Sequence, residues 1–230
     1  MSNVLIPGDL HIPAHHPKYL QFCKDLYDEW NCDKVVMVGD IPDWQAISAH
    51  DKHPDLPSAG DEYELIQKKI KPWYDAFPNA TVMIGNHDDR PFRLGRTVNL
   101  SDRLIKDQNT LWKTPKWKWL YETIIDGVYY FHGTGHGGLY PSINKAKSLG
   151  MSVVMGHCHY AAGIWWTASP VQRFFGMNVG CGIDIDKLQF LYGINHIRRP
   201  ILAAGVVLDG IPYLEIMPCG KNERYYKGDG

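Results

Sequence analysis

Five stretches of this chain combine aspartate, asparagine and histidine with glycine, and each stands close behind a short apolar run. They are Asp9-Leu10-His11, Gly39-Asp40, Gly85-Asn86-His87-Asp88, His132-Gly133 and Gly156-His157-Cys158-His159. Any one of them alone is ordinary loop chemistry; their joint occurrence behind successive apolar runs carries the signal. Two imidazoles one residue apart, as at His157 and His159, do little for packing and are well suited to gripping a cation. Carboxylate oxygens, an amide oxygen and imidazole nitrogens, without thiolate, suit hard-to-borderline divalent ions such as Mn²⁺, Fe, Zn²⁺ or Mg²⁺. An aspartate has two oxygens, so one residue can bridge two ions roughly 3.5–4 Å apart. Two aspartates offset only half the charge of two such ions. The surplus favours a hydroxide between them and an anionic substrate beside them, for which a phosphate ester is the natural fit.

The elements that must position these residues are legible as apolar runs. Asn3 to Ile6 reads as a buried strand ended by Pro7-Gly8. Residues 17–30 place Leu20, Cys23, Leu26, Tyr27 and Trp30 at helical spacing. KVVMVGD is a second buried strand, residues 41–60 read as a long loop, and 61–77 as a helix stopped by Pro78-Asn79. ATVMIGNHDD is a third strand ending in a polar cluster. This βαβ(loop)αβ alternation is that of an α/β protein, whose functional residues gather beyond the carboxyl ends of its strands. YETIIDGVYYFHG then reads as a hairpin turning at Asp126-Gly127. PSINKAKSLG reads as a helix and MSVVMGHCHY as a buried strand. RFFGMNVG, ILAAGVVLDG and IPYLEIMP are further short strands, the last two joined at Asp209-Gly210. With no internal repeat and no linker, residues 1–230 are expected to form a single domain.

A composition 44% hydrophobic and 21% charged is that of an ordinary globular protein, and a formal net charge of −1 shows no global bias toward nucleic acid or membrane. The five cysteines (Cys23, Cys32, Cys158, Cys181, Cys219) are odd in number and show no CxxC spacing, which argues against a disulfide framework or thiolate zinc site. The N-terminal segment has no basic and apolar signal pattern, and no run approaches the roughly 18 apolar residues of a membrane span. A cytoplasmic protein is the expectation.

As an ordered set, the five blocks resemble those of the calcineurin-like metallophosphoesterase superfamily. The resemblance implies a four-layer α/β fold: a central β-sandwich of two mixed sheets flanked by helices. It implies two divalent metal ions, Mn²⁺ foremost, with Fe, Zn²⁺, Ni²⁺ or Mg²⁺ as the other candidates. Asp9, His11 and His159 would hold the first ion and Asn86, His132 and His157 the second, with Asp40 bridging. His87 resembles the family's non-ligand histidine, which contacts phosphate and protonates the leaving oxygen; Asp88 is then expected to orient it. Where serine/threonine phosphatases of the superfamily carry aspartate-arginine-glycine after the second block, this chain has Asp43-Trp44, so that phosphate-binding arginine is missing. The compact chain is more similar to small phage and bacterial phosphoesterases.

Arg90, two residues beyond Asp88, is a candidate for a phosphate oxygen, against an equal reading as a surface ion pair. Lys113, Lys116 and Lys118 interleave with Trp112, Trp117 and Trp119, a pattern that fits either nucleic-acid stacking or an exposed face over a core face. His50, His53 and His136 read as solvated, and Cys158 as a packing residue. The substrate expected is a phosphodiester, of nucleotides or nucleic acid in one reading. A phosphomonoesterase with the same metal site is the first alternative and a catalytically silent binding platform the second.

Overall fold

Strand β1, Asn3–Pro7, shows how this chain builds its layers. Side chains alternate across a strand. Leu5 packs into one buried cluster with Ile66, Ile70 and Trp73, while Val4 and Ile6 pack into another with Tyr130, Val154 and Phe175. A strand that is apolar on both faces is covered on both faces. The computed structural model describes residues 1–49, 53–184, 186–187 and 198–218, so His50 and Cys219 lie outside the described residues.

The same split repeats along the chain. In β2, Lys34–Met37, Val36 joins the cluster of Val4 and Ile6, whereas Val35 and Met37 join that of Leu5. Helices α1, Tyr19–Glu29, and α2, Ala59–Ala76, supply Cys23, Leu26, Ile66, Ile70 and Trp73 to the outer side. α2 starts two residues before the expected Asp61. Ser58 is its N-cap, with the Asp61 N–H donating to the Ser58 hydroxyl at 3.3 Å. Strand β3, Thr81–Met83, is followed by two short helices, α3 (Arg90–Thr97) and α4 (Gln108–Trp112), and by strand β4 (Lys118–Leu120).

Strands β5 (Glu122–Ile125) and β6 (Val128–Phe131) form the hairpin at Asp126-Gly127. Helix α5, Pro141–Leu149, leads to β7, Ser152–Met155. Then come β8 (Gly163–Ala168), β9 (Arg173–Asn178), β10 (Ala203–Leu208) and β11 (Ile211–Ile216). Among the described residues one sheet runs β11-β10-β1-β2-β3-β4 and the other β5-β6-β7-β9-β8. Both are mixed: β1 to β4 pair in parallel while β10 and β11 run antiparallel. In the second sheet β6, β7 and β9 are parallel between antiparallel edges. The Val4–Phe175 cluster lies between the sheets. α1 and α2 cover one outer face, and α5 covers the other through Ile143 and Ala146. The fold is the four-layer α/β sandwich with two mixed sheets.

The carboxyl ends of β1, β2, β3, β6 and β7 all deliver polar loops to one edge of the sandwich. Those loops hold Asp9 and His11, Asp40, Asn86 to Asp88, His132, and His157 and His159.

Candidate metal centre

Sharp loop geometry brings these side chains together. His11, Asp40 and His157 adopt left-handed backbone with φ of 50°, 49° and 64°, conformations that cost non-glycine residues energy. Glycine is required where the backbone passes the carboxylates: a Cβ on Gly85 would overlap Asp40 Oδ1, and one on Gly156 would overlap Asp9 Oδ1. Three overlapping groups of ligand-type atoms result: Asp9 with His11 and His159, His11 with Asp40 and His87, and Asp40 with His132 and His157. Asp40 is common to the last two, its Oδ2 3.7 Å from His11 Nε2 and 3.3 Å from His132 Nε2. The Asn86 side-chain oxygen is 3.1 Å from His132 Nε2.

The donor set fits a cation. A carbonyl oxygen only accepts, so His132 Nδ1 carries the hydrogen given to the Val38 carbonyl at 2.7 Å. The Nε2 lone pair of the neutral ring therefore faces His157 Nδ1 at 3.2 Å, together with the Asn86 and Asp40 oxygens. His11 repeats this arrangement, with Nδ1 on the Asp43 carboxylate at 2.8 Å and Nε2 facing His159 Nε2 at 3.2 Å. Histidine ligands are commonly fixed in this way through their second nitrogen. Asp9 Oδ2 accepts from the His157 amide at 2.9 Å and faces His159 Nε2 at 2.9 Å, while its Oδ1 is buried with no hydrogen-bond partner. With the imidazoles neutral, as metal ligation requires, these nitrogens and oxygens form a donor set that a cation would complete.

The electrostatics say the same. Asp40 is buried, which opposes ionisation, yet His132, His87 and His11 hold it well below the usual carboxylate range. Burial likewise opposes charge on His132, but Asp40 and Asp9 outweigh it and raise the ring to about 10. In the ion-free protein a proton at His132 thus does what a cation would do. Burial, then neighbouring imidazoles, lowers His11 and His157.

Two expectations need correction. Asp88 does not orient His87. Its buried carboxylate accepts the backbone N–H groups of Gly85 at 2.7 Å, Asp40 at 2.7 Å and Ile41 at 3.1 Å, so it clamps the Asp40 loop. Burial and the adjacent Asp40 push Asp88 up to about 7. The residue that orients His87 is Asp43: His87 Nδ1 donates to the Asp43 carbonyl and lies 3.2 Å from its Oδ1. Asp43 is thus shared by His11 and His87, and its position three residues beyond Asp40 was the sequence signal for it. Nor is Arg90 a surface ion pair. It is buried, donates through NH1 to the carbonyls of Asp43 at 2.9 Å and Trp44 at 2.7 Å, and places NH2 3.1 Å from His87 Nε2. An arginine from the third block therefore adjoins His87 where Trp44 has turned into the core, stacked on Tyr63.

Other candidates fall outside the centre. Trp112 and Trp117 are buried and Trp119 is partly buried, while Lys113, Lys116 and Lys118 are exposed, so that strip is a core face with a solvated back and offers no aromatic platform. Cys158 is buried, with its thiol directed at the His136 carbonyl. The first half of the 41–60 loop packs into the centre through Asp43 and includes a 3₁₀ turn, Gln45–Ile47, in which the Gln45 and Ala46 amides donate to buried Glu62 of α2, each at 2.8 Å. Among the described residues no helix is long and apolar enough to cross a membrane.

Residues 2–193 match the family model described as calcineurin-like phosphoesterase. No curated protein sequence matches the chain. Solved structures are similar across nearly the whole fold at low identity. Chaetomium thermophilum Vps29 is 11% identical with a TM-score of 0.48, covering 97% of this chain and 92% of that one. Yfce, a phosphoesterase from E. coli, is 10% identical with a TM-score of 0.47, covering 94% and 100%. A nuclease, MPE, from Pseudomonas putida is 13% identical with a TM-score of 0.38, covering 92% and 86%.

Proposed function

Because the chain belongs to the calcineurin-like phosphoesterase family, we propose that it is a metal-dependent phosphoric ester hydrolase that works with two divalent ions and prefers phosphodiesters. The observation that carries this reading is the pair of lone-pair clusters on either side of Asp40. Asp9, His11 and His159 would hold one ion, and Asn86, His132 and His157 the other, with Asp40 reaching both. The mixed oxygen and imidazole donors admit Mn²⁺, Fe, Zn²⁺, Ni²⁺ or Mg²⁺, of which Mn²⁺ is the ion put to the test below. When bound, such a pair activates water for attack on phosphorus and offsets the charge that develops on the phosphoryl oxygens.

The chain's own residues do the rest. Asp43 holds His11 and His87 through their Nδ1 atoms, which leaves both Nε2 atoms directed at the centre. His87 Nε2 is the atom from which a proton would pass to the departing alcohol oxygen, and the Asp43 carboxylate stabilises the charged ring before that transfer. Arg90 NH2, at the same nitrogen, meets an arriving phosphate oxygen beside it. Asp88 acts one layer back, by fixing the backbone that carries Asp40. Residues 1–230 work as one domain in this reading. Free, buried Cys23, Cys32, Cys158 and Cys181 accord with a reducing, cytoplasmic setting.

The test is hydrolysis of bis(p-nitrophenyl) phosphate against p-nitrophenyl phosphate by Mn²⁺-loaded protein, with His157→Ala as control. Faster diester turnover that disappears in the variant is the expected result. Faster monoester turnover would make the protein a phosphatase with the same centre. Turnover of neither, with both ions bound, would make it a binding platform and overturn the proposal.

A further inference from the structure

A cleft of about 290 Å³ opens directly beside the metal centre and shares Asn86 and His132 with it. Arg93, Tyr121, Phe131 and Thr134 supply much of the remaining wall. A volume of about 150 Å³ is enough to hold a benzene ring, so this cleft has room for one ring-bearing group next to a phosphate. Its chemistry is selective rather than generic.

The three arginines spaced along α3 have separate fates. Arg90 is buried against main-chain carbonyls, and Arg96 is paired with Asp89 at 3.4 Å and Asp102 at 2.7 Å. Arg93 is exposed and donates to the Asn86 carbonyl at 3.2 Å, with no carboxylate partner among the described residues. It is an uncommitted cation at the lip of the centre. On the same cleft Tyr121 keeps 60% of its surface exposed, while its hydroxyl donates to Asp89 at 3.2 Å and holds the ring in place. Asp89 is thereby engaged by Tyr121 and Arg96 and is not a free negative charge facing the cleft. A fixed, open aromatic ring beside a free guanidinium is the combination that holds a nucleotide chain, the ring taking the base and the cation the phosphate.

We propose that this cleft is the subsite for the nucleotide adjoining the scissile phosphate, which makes single-stranded nucleic acid the substrate class. The base stacks on Tyr121 and the next phosphate along the strand pairs with Arg93. The proposal rests on the phosphodiesterase reading and narrows it; no bond is made or broken at the cleft itself.

The test is binding of a fluorescein-labelled hexathymidylate by anisotropy, with and without Mn²⁺, across a salt series. Wild type is compared with Arg93→Gln, Tyr121→Ala, Tyr121→Phe and Lys24→Gln, the last an exposed charge on α1. Loss of the ring is expected to weaken binding by about 5- to 150-fold, the range of one base stack. Tyr121→Phe, which keeps the ring and loses only the bond to Asp89, should retain most of the affinity. Arg93→Gln should lower the salt slope by about one ion, and Lys24→Gln should change neither quantity. Equal losses in Tyr121→Ala and Tyr121→Phe, or an unchanged salt slope in Arg93→Gln, would overturn the subsite. If wild type hydrolyses bis(p-nitrophenyl) phosphate yet binds the oligonucleotide no better than these variants, the cleft assignment falls and the phosphoesterase stands. Failure to hydrolyse any ester would remove both.

Discussion

Asp43 is the residue whose replacement tests the architecture of the centre most directly. Its side chain is 2% exposed, and one oxygen lies 2.8 Å from His11 Nδ1 and 3.2 Å from His87 Nδ1. Burial opposes its charge, but hydrogen bonds from both histidines hold it below the usual carboxylate range, so it is ionised throughout the neutral region. Asp43→Asn preserves the volume and removes the charge. It also introduces an NH₂ group, and if that group faces His11 the ring must accept at Nδ1 and carry its hydrogen on Nε2, where it no longer offers a lone pair to an ion. Loss of such a partner typically weakens metal binding by about 10- to 100-fold, or about 1.4–2.7 kcal/mol. The assay is competition for Mn²⁺ with a chelating dye, alongside thermal unfolding of the ion-free protein to separate binding from folding. Asp43→Ala, which removes the partner without inserting a donor, should lose no more affinity than Asp43→Asn. A folded Asp43→Asn protein that binds Mn²⁺ as tightly as wild type would refute the assignment of Asp43 as the residue that orients His11.

Gly85→Ala should damage the centre from the backbone side, since the added Cβ would overlap Asp40 Oδ1 and lie 2.7 Å from the Asp40 amide nitrogen. Overpacking of this kind costs about 1–3 kcal/mol, so urea unfolding should shift to lower concentration and Mn²⁺ titration should show weakened binding. His15 predicts an acid sensitivity away from the ligands: burial, followed by the charges of Lys69, His16 and Lys187, lowers it from 6.5 to about 4. The unfolded chain therefore takes up this proton before the folded one does. Its contribution is complete above pH 6.5 and is lost as pH falls toward 4, by up to about 3 kcal/mol at 1.36 kcal/mol per pH unit. Urea midpoints of the ion-free protein should fall between pH 7 and 5, and His15→Gln should flatten that slope; parallel slopes would exclude His15 as the cause.

The elements that carry the centre were legible because they are buried on both faces. Runs such as Val4–Ile6, Val35–Val38 and Val153–Met155 are apolar at every position, and the change from apolar to polar at their ends marks where each loop enters the site. What the sequence concealed was short or half-exposed. α4 has five residues, too few to display a helical period, and α3 is so rich in arginine that no apolar stripe identifies it. β8 is an edge strand whose adjacent Trp165 and Trp166 break the alternation of a half-buried strand. The partners of His87 were hidden for another reason. Asp88 is its chain neighbour, but hydrogen-bond partners are set by where side chains point, and the loop sends the Asp88 carboxylate inward to amides while the second loop delivers Asp43 to the ring.

That arrangement also explains why strained residues cluster here. His11, Asp40, Trp44 and His157 all have positive φ, a backbone state costing about 1–3 kcal/mol at each non-glycine site. Such conformations persist only where neighbouring structure over-determines them, and here each loop is tied down by a different element. The Asp40 carbonyl accepts from the Leu10 and His11 amides at 3.2 and 2.9 Å, which ties the first loop to the second. Asp88 ties the second loop to the third, Asp9 ties the His157 amide to the first, and Glu62 reaches from α2 to the segment after Trp44. The carboxylates therefore divide into two kinds. Asp9 and Asp40 each give only one oxygen to a backbone amide and face the imidazoles of the centre through Oδ2, while Asp88 and Glu62 give both oxygens to backbone amides. A motif such as Gly-Asn-His-Asp reads in sequence as four equivalent functional residues. In the fold, its last aspartate is a clamp that allows the first block's histidine and the second block's aspartate to hold geometries neither loop would adopt alone.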